Sequence, residues 1–214
     1  MSGSLYTKLV PQHVAEEALR VEPDRFVALI EKFSSVWTTS RPRLERVDGS
    51  LKWVAIINSY ITSRGDFPVD SLNLLANTVL AIILNSKDDR FAQVRWCSLL
   101  SRTLRQYRQK LQIVIPWRPL YDLIVQMHLV SGKGYEGAAL VAVHAATLCR
   151  LVRRSRRFFP AEAAGEIWAE FKPALSNLAS NTCLEGIGFL AQFLPTQRLS
   201  LWRRNKEDGK EGGE

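Results

Sequence analysis

Two runs of basic residues are the part of this sequence whose residue types and spacing could do chemistry. In the second run Arg150, Arg153 and Arg154 recur at i, i+3 and i+4, the spacing that aligns side chains on one helix face, and Arg157 continues the row at i+7. A guanidinium makes bidentate, charge-assisted bonds to phosphate or carboxylate, so this face could hold an anionic partner. The candidate contacts are Arg102, Arg105, Arg108 and Lys110 in the first run, and Arg150, Arg153, Arg154, Arg156 and Arg157 in the second.

The same runs have plainer interpretations that the sequence leaves open. They could be a solvated helix face, or they could pair with acids on a neighbouring helix pair. Nucleic-acid binding would be better supported by exposed aromatic side chains between the arginines, whereas Phe158 and Phe159 are expected to pack ahead of Pro160. A nucleic-acid partner is therefore disfavoured and is kept as the alternative. A nuclear-import signal at 153–157 is a weak pattern, because it lies at a predicted helix end.

Catalytic and cofactor chemistry find little support. A cysteine nucleophile needs a neighbouring base, and the candidate pairing is Cys97 with His144. Both lie in apolar helical stretches, which are typical of a core thiol and of a satisfied or surface histidine. The sequence has no C-x-x-C, no H-E-x-x-H and no carboxylate cluster, and the glycines at 132 and 134 lack the spacing of a phosphate-binding loop. We expect no enzyme activity, no metal and no cofactor.

Cysteine usage and the amino terminus indicate a compartment. Cys97, Cys149 and Cys183 are odd in number and far apart, which favours buried thiols in a reducing environment over a disulfide framework. Residues 1–11 hold no apolar run of the kind that a secretory signal needs. Because no uncharged apolar run of about 18 residues occurs, we expect no membrane span. The reduced thiols and the missing secretory signal indicate a location in the nucleus and cytoplasm.

Composition sets the size of the fold and shows where the charge lies. The chain has 214 residues, of which 46% are hydrophobic, enough for a sizeable buried core. Its formal net charge is +8, and the two basic runs contain nine cationic residues, so the rest of the chain is close to neutral. The basicity is therefore local, and the mean hydropathy of -0.08 indicates a soluble protein.

Apolar residues recur at helical spacing along most of the chain. In the helix over 138–155, Ala142, Leu148 and Val152 are expected to face inward. The tryptophans lie at scattered helix positions and are interpreted mostly as core. A short extended segment is possible at 111–115. The predicted helices cover about 23–37, 49–64, 68–85, 88–110, 118–130, 138–155, a segment beginning at 160, and 184–194.

Taken in pairs, the predicted helices repeat along the chain. The pairs begin near residues 23, 68, 118 and 160, so successive pairs start 45, 50 and 42 residues apart. These intervals bracket the ~40 to 47 residues of HEAT and armadillo repeats. No repeat consensus is visible, so a single irregular helical bundle remains open. The sequence predicts an all-α, HEAT/armadillo-like α-solenoid of about four helix pairs over residues 1–196. A polar, disordered tail is expected at 197–214.

Six short stretches, read together, carry a family resemblance. In their order and intervals they resemble the N-terminal region of the large HEAT-repeat proteasome activators, the proteasome activator subunit 4 family, and its plant members in particular. WRPLYD and RRSRRFFP are the distinctive pair, and the resemblance runs from about Leu5 to Thr196. The stretches are Leu51–Trp53, Ala92–Trp96, Trp117–Asp122, Arg153–Pro160, Glu166–Phe171 and Phe193–Thr196.

The resemblance implies a function by protein contact. Members of that family form a solenoid dome that caps the 20S proteasome core particle and favours entry of peptides and unfolded or acetylated proteins, without ubiquitin and without protease chemistry of their own. It further implies a nuclear and cytosolic location and a link to DNA repair. The family's core-docking tail, acetyl-lysine-binding module and inositol-phosphate-lined openings lie in regions that this sequence does not contain, so no functional residue is carried over.

The sequence from Gln197 onward departs from the family pattern, so we expect a truncated chain. A solenoid cut after about four repeats leaves its last repeat without a neighbour and exposes an apolar face that a native end repeat would make polar. Residues 1–196 alone are therefore expected to be marginally stable or to self-associate.

Overall fold

Every regular element in the part of the chain that the computed structural model describes is a helix. That part comprises residues 23–39, 47–63, 65–86, 90–131 and 138–176. The all-α prediction is confirmed, with 83% of these residues in helix and no strand among them. The helices are α1 (Pro23–Thr39), α2 (Val47–Thr62), α3 (Val69–Asn85), α4 (Arg90–Gln106), α5 (Trp117–Ser131), α6 (Ala138–Ser155) and α7 (Ala163–Ser176), and a 3-10 turn (Arg156–Phe158) follows α6.

The connections explain where the predicted boundaries were wrong. The predicted fourth helix runs to 110, but α4 ends at Gln106. A turn begins at Tyr107, and the Tyr107 carbonyl accepts a hydrogen bond of 3.0 Å from the Leu111 amide. The predicted extended segment at 111–115 forms no strand, although the Ile115 amide donates to the Phe158 carbonyl at 2.7 Å. The predicted helix at 184–194 and the predicted tail at 197–214 lie outside the described residues.

The helices stack in two layers. In the first layer α1 packs on α3 and α3 contacts α5, and in the second layer α2 packs on α4 and α4 packs on α6. Between the layers α3 packs on α4 and α5 packs on α6. Each of the helices α1 to α4 therefore meets the helix two places further along the chain, which is the packing of an α-solenoid. The described residues hold three helix pairs and the first helix of a fourth.

Long-range hydrogen bonds show the same period. The hydroxyls of Ser34 and Thr78 share a hydrogen bond of 3.0 Å across 44 residues. The Gln106 side-chain amide donates to the Ile61 carbonyl at 2.6 Å, across 45 residues. First-layer helices begin at residues 23, 69, 117 and 163, so the intervals are 46, 48 and 46. This spacing is more even than the predicted one and supports the repeat interpretation over an irregular bundle.

One continuous core joins neighbouring helix pairs. The ring of Phe33 on α1 lies 5.2 Å from that of Trp53 on α2 and stacks at 5.6 Å on that of Trp96 on α4. Phe26 likewise stacks on Phe67, which precedes α3, with ring centroids 3.8 Å apart. Full burial of such a side chain stabilises the fold by about 1.5–3 kcal/mol, so each pair depends on its neighbour.

Two predictions about core positions need correction. Leu148 and Val152 on α6 are fully buried as predicted. Ala142 is exposed, because it lies across the helix from the buried stripe of His144, Leu151 and Ser155. Trp168 on α7 was expected in the core and is 50% exposed, since Ile167 and Phe171 form the buried face of that helix. None of the helices in the described ranges is long and apolar enough to cross a membrane.

Candidate interaction surface at the carboxyl ends of the second-layer helices

The second-layer helices run parallel, so their carboxyl ends meet at one side of the molecule. Near the ends of α4 and α2, the Arg102 guanidinium donates to the Thr62 hydroxyl at 2.8 Å. In the segment between α4 and α5, the Ile115 amide donates at 2.7 Å to the carbonyl of Phe158, which lies just past the end of α6. Both predicted basic runs therefore lie on this side, which we call the basic edge. It consists of Arg102, Arg105, Arg108, Lys110, Arg150, Arg153, Arg154, Arg156 and Arg157.

Helix geometry explains why these cations face solvent. On α6, Leu148 and Val152 are fully buried. Arg150, Arg153 and Arg154 lie on the opposite, exposed side. Of the nine basic residues, seven are exposed and the other two, one in each run, are half-buried. Positive charge is also favourable at a helix carboxyl end, where the peptide dipoles leave partial negative charge. Part of this basicity therefore serves the helices themselves.

Two residues of the first run are paired across the repeat. The Lys110 ammonium forms a salt bridge with the Asp66 carboxylate, in the segment between α2 and α3. Arg102 bonds the Thr62 hydroxyl of the preceding pair. For these two residues the plainer interpretation, pairing with a neighbouring repeat, describes what the structure shows. Both contacts are solvent-exposed and so stabilise the fold only modestly.

The second run contains one close arginine pair. The Arg156 side chain donates to the Arg153 carbonyl at 3.4 Å. Burial, and then the charge of Arg153, lower the pKa of Arg156 below its ordinary value.

Within the described residues, five exposed guanidiniums make no hydrogen bond or ion pair. They could bind carboxylate or phosphate groups, and they belong to Arg105, Arg108, Arg150, Arg154 and Arg157.

Three of the family-like stretches meet at a second place, the junction of α5 with α7. The Trp117 indole donates to the Glu166 carboxylate at 2.6 Å, and the Arg118 guanidinium donates to Glu170 at 2.7 Å. These contacts join the stretch at 117–122 to the one at 166–171. The third stretch, 153–160, is tied to the segment just before α5 by the bond from the Ile115 amide to the Phe158 carbonyl. The distinctive motifs thus form a repeat junction.

Arg118 is the centre of this junction and was not among the predicted site residues. Its carbon Cζ lies 5.6 Å and 5.4 Å from the ring centroids of Trp117 and Tyr121. The hydrogen bond that it donates to Glu170 is the main reason that its pKa is raised, and the charges of Glu170 and Asp122 add to it. The i,i+4 spacing of Arg118 with Asp122 was the available sequence signal.

A shallow groove of about 470 Å³ lies over the same junction, lined by Trp117, Arg118, Glu166, Ala169 and Glu170. The polar side chains in it already bond one another. The groove therefore serves to join two repeats, and its carboxylates are committed to the indole and the guanidinium.

The two residues of the candidate catalytic pair are poorly suited to catalysis. Cys97 is fully buried, and burial raises the pKa of its thiol far above the ordinary value, so the reactive thiolate is disfavoured. His144 is buried without a hydrogen-bond partner for either ring nitrogen among the described residues, so the expectation of a satisfied or surface histidine was wrong. Burial and the charge of Arg90 lower the pKa of His144. Cys183 lies outside the described residues, and within them no three ligands gather that could hold a metal ion.

Fold and surface together define a class: an all-α, solenoid-like protein whose described residues offer a basic contact surface. No family model matches the chain, and no solved structure matches it. The chain is 35% identical over 192 residues to "Proteasome activator subunit 4" of Arabidopsis thaliana. The resemblance is thereby confirmed: over 90% of its length this chain is related to the proteasome activator subunit 4 family. It spans about one tenth of the length of that relative.

Proposed function

We propose that this chain works as part of a proteasome activator and acts by protein–protein contact. In this proposal it helps to cap the 20S core particle and promotes ubiquitin-independent degradation of peptides and of unfolded or acetylated proteins, in the nucleus and cytoplasm and in connection with DNA repair. The observation that carries it is the 35% identity to proteasome activator subunit 4 over 192 residues. A stacked-helix fold suits the role, since solenoids bind partners along extended surfaces.

The described residues support a regulatory role in the assembly. The candidate nucleophile, Cys97, is buried as a protonated thiol, whereas the basic edge presents five exposed arginines without partners among the described residues. In this proposal the basic edge contacts anionic groups of the core particle or of the rest of the activator. Charge complementarity of this kind raises association rates and fixes orientation.

Capture of core particles tests this function. The full chain, immobilised through a tag, is incubated with purified 20S particles, and the retained particles are quantified by their peptidase activity. We expect retention above that on beads carrying an unrelated helical protein. No retention at any salt concentration at which both proteins stay folded would contradict the proposal.

A second function, a basic helical adaptor that binds nucleic acid or another polyanion, has one observation in its favour. Arg150, Arg154 and Arg157 are exposed and lack partners among the described residues. Binding to labelled duplex DNA or RNA that weakens steeply with salt would support the adaptor, because each neutralised phosphate releases counterions. Charge reversal at these three arginines should then abolish the binding.

A further inference from the structure

The exposed side of α4 and α6 changes character along its length. At the amino ends of these helices it presents apolar side chains: Phe91 on α4 is 39% exposed, and Leu140 and Val143 on α6 are 37% and 52% exposed. At the carboxyl ends it presents arginines. We call this surface the α4–α6 face, and it consists of Phe91, Leu140 and Val143 at the apolar end and Arg102, Arg105, Arg150 and Arg154 at the basic end.

Helical spacing places these residues on one face of each helix. On α4, Phe91, Arg102 and Arg105 are separated by 11 and 3 residues, and Trp96 and Leu100 are buried on the other side. On α6, residues 143 and 150 are seven apart, which is two helical turns.

The two helices present these faces side by side. They pack directly on each other, and their carboxyl ends lie at the same side of the molecule. With 1.5 Å per residue, the apolar and basic residues on these helices lie about 10 to 21 Å apart.

The chemistry of this face selects one kind of occupant. Exposed apolar side chains favour a partner that removes them from water. The guanidiniums of Arg105, Arg150 and Arg154, which have no partner among the described residues, favour carboxylates. A nucleic acid would use the arginines and leave the apolar end unused. Base stacking beside the arginines lacks a platform among the described residues, because Tyr107 and Phe158 at the basic end are buried. The ring of Phe91 lies at the other end of the face, where the Arg95 guanidinium is 4.5 Å from its centroid and the side chain is 39% exposed.

We propose that the α4–α6 face is a docking site for an acidic polypeptide segment that carries apolar residues at one end. The apolar residues contact Phe91, Leu140 and Val143, and the acidic residues reach the arginines at the basic end. An extended segment rises about 3.3 Å per residue, so about three to six residues separate its two parts. The proposal shares arginines with the basic edge of the proposed function, but its test reads peptide binding alone, so its failure is distinguishable from a failure to bind core particles.

Fluorescence anisotropy with designed peptides tests the docking site on the full chain. One labelled probe carries two leucines, a neutral spacer of about five residues and four glutamates, and a second carries the same parts in reverse order. A third probe replaces the leucines with serines. We expect one of the leucine probes to bind about tenfold more tightly than the serine probe, because the apolar contact adds to the charge contact.

Substitutions at the two ends separate the contributions. We expect Arg150→Glu with Arg154→Glu to weaken binding of the leucine probe about tenfold or more, and Phe91→Gln with Val143→Gln to weaken it about fivefold. The matched control is Lys32→Glu with Lys172→Glu, which makes the same charge change at exposed residues of α1 and α7 and should change affinity less than about twofold. Circular dichroism of each variant checks that its helices are kept.

Three results would overturn the proposal. One is the absence of binding by both leucine probes, and another is equal binding of leucine and serine probes, which would mean a general polyanion surface. The third is tighter binding of labelled single- or double-stranded DNA that is lost in the arginine variant and unaffected by the Phe91 and Val143 changes, which would assign the arginines to nucleic acid.

Discussion

His144 is the residue whose environment has the clearest energetic consequence. It is buried on α6, neither ring nitrogen has a hydrogen-bond partner among the described residues, and burial lowers its pKa below 6.5. A buried polar group without a partner costs about 1–3 kcal/mol. The fold therefore tolerates the neutral imidazole and disfavours the imidazolium.

We predict that the chain loses stability in acid through this histidine. Below pH 6.5 the unfolded chain takes up a proton that the folded chain resists, so the stability is complete above pH 6.5 and declines as the pH falls below it. Thermal unfolding at a series of pH values on both sides of 6.5 measures the effect. His144→Leu should raise the melting temperature on the acid side and reduce the pH dependence. An unaltered pH dependence in His144→Leu would refute this explanation.

Among the elements, α5 and α7 show how sequence stretches become a junction. The bond from the Trp117 indole to Glu166 and the bond from Arg118 to Glu170 both cross between the helices. The ring of Tyr121 packs edge-on against that of Phe171, with ring centroids 5.3 Å apart. Because the two hydrogen bonds join side chains 49 and 52 residues apart in sequence, they are set by the stacking of whole repeats.

The junction makes a testable difference between two tryptophans. Trp117→Phe keeps most of the buried ring but removes the donor to Glu166, so we expect a loss of about 1–2 kcal/mol in the free energy of unfolding. Trp168→Phe changes a half-exposed side chain on the same pair of helices and should cost less than about 0.5 kcal/mol. Urea unfolding of both variants compares them, and equal losses would remove the assigned role of the indole bond.

The helices could be predicted from the sequence because their apolar spacing is a local signal. The starts of α1, α5 and α6 fall within one residue of the predicted ones. Contacts between repeats could not be predicted from the sequence. The pairing of Lys110 with Asp66, for example, depends on which loops the stacking of the helices brings together. The exposure of single side chains was still harder to predict. Trp168 has a large, mainly apolar side chain that is typical of a core, but it is 50% exposed because Ile167 and Phe171 form the buried face of α7.

On the scale of the whole molecule, stability is shared between neighbouring repeats. Phe33 contacts aromatic rings of both its own pair and the next one, so removing it weakens two interfaces. We expect Phe33→Ala to cost about 3–5 kcal/mol, measured by urea unfolding. Ile30→Val, a smaller deletion at a fully buried position of the same helix, should cost about 0.5–1.5 kcal/mol. A loss for Phe33→Ala no larger than that for Ile30→Val would contradict the shared core.

The solenoid architecture also predicts how the repeat region behaves in isolation. Each repeat buries its apolar surface against the next, and a repeat without a neighbour presents that surface to solvent. Residues 1–196 should therefore self-associate or be marginally stable, with a low melting temperature. Size-exclusion chromatography with light scattering at several concentrations measures this, and a monodisperse monomer with a sharp, high melting transition would show the prediction to be wrong.

Contact between this chain and the proteasome core particle is tested most directly by sedimentation velocity. A fluorescently labelled full chain is centrifuged alone and with an excess of purified 20S particles, while only the label is followed. We predict that part of the label moves with the particle and returns to the slow boundary when unlabelled chain is added in excess. If all of the label stays in the slow boundary at particle concentrations up to the micromolar range, the proposed contact is contradicted.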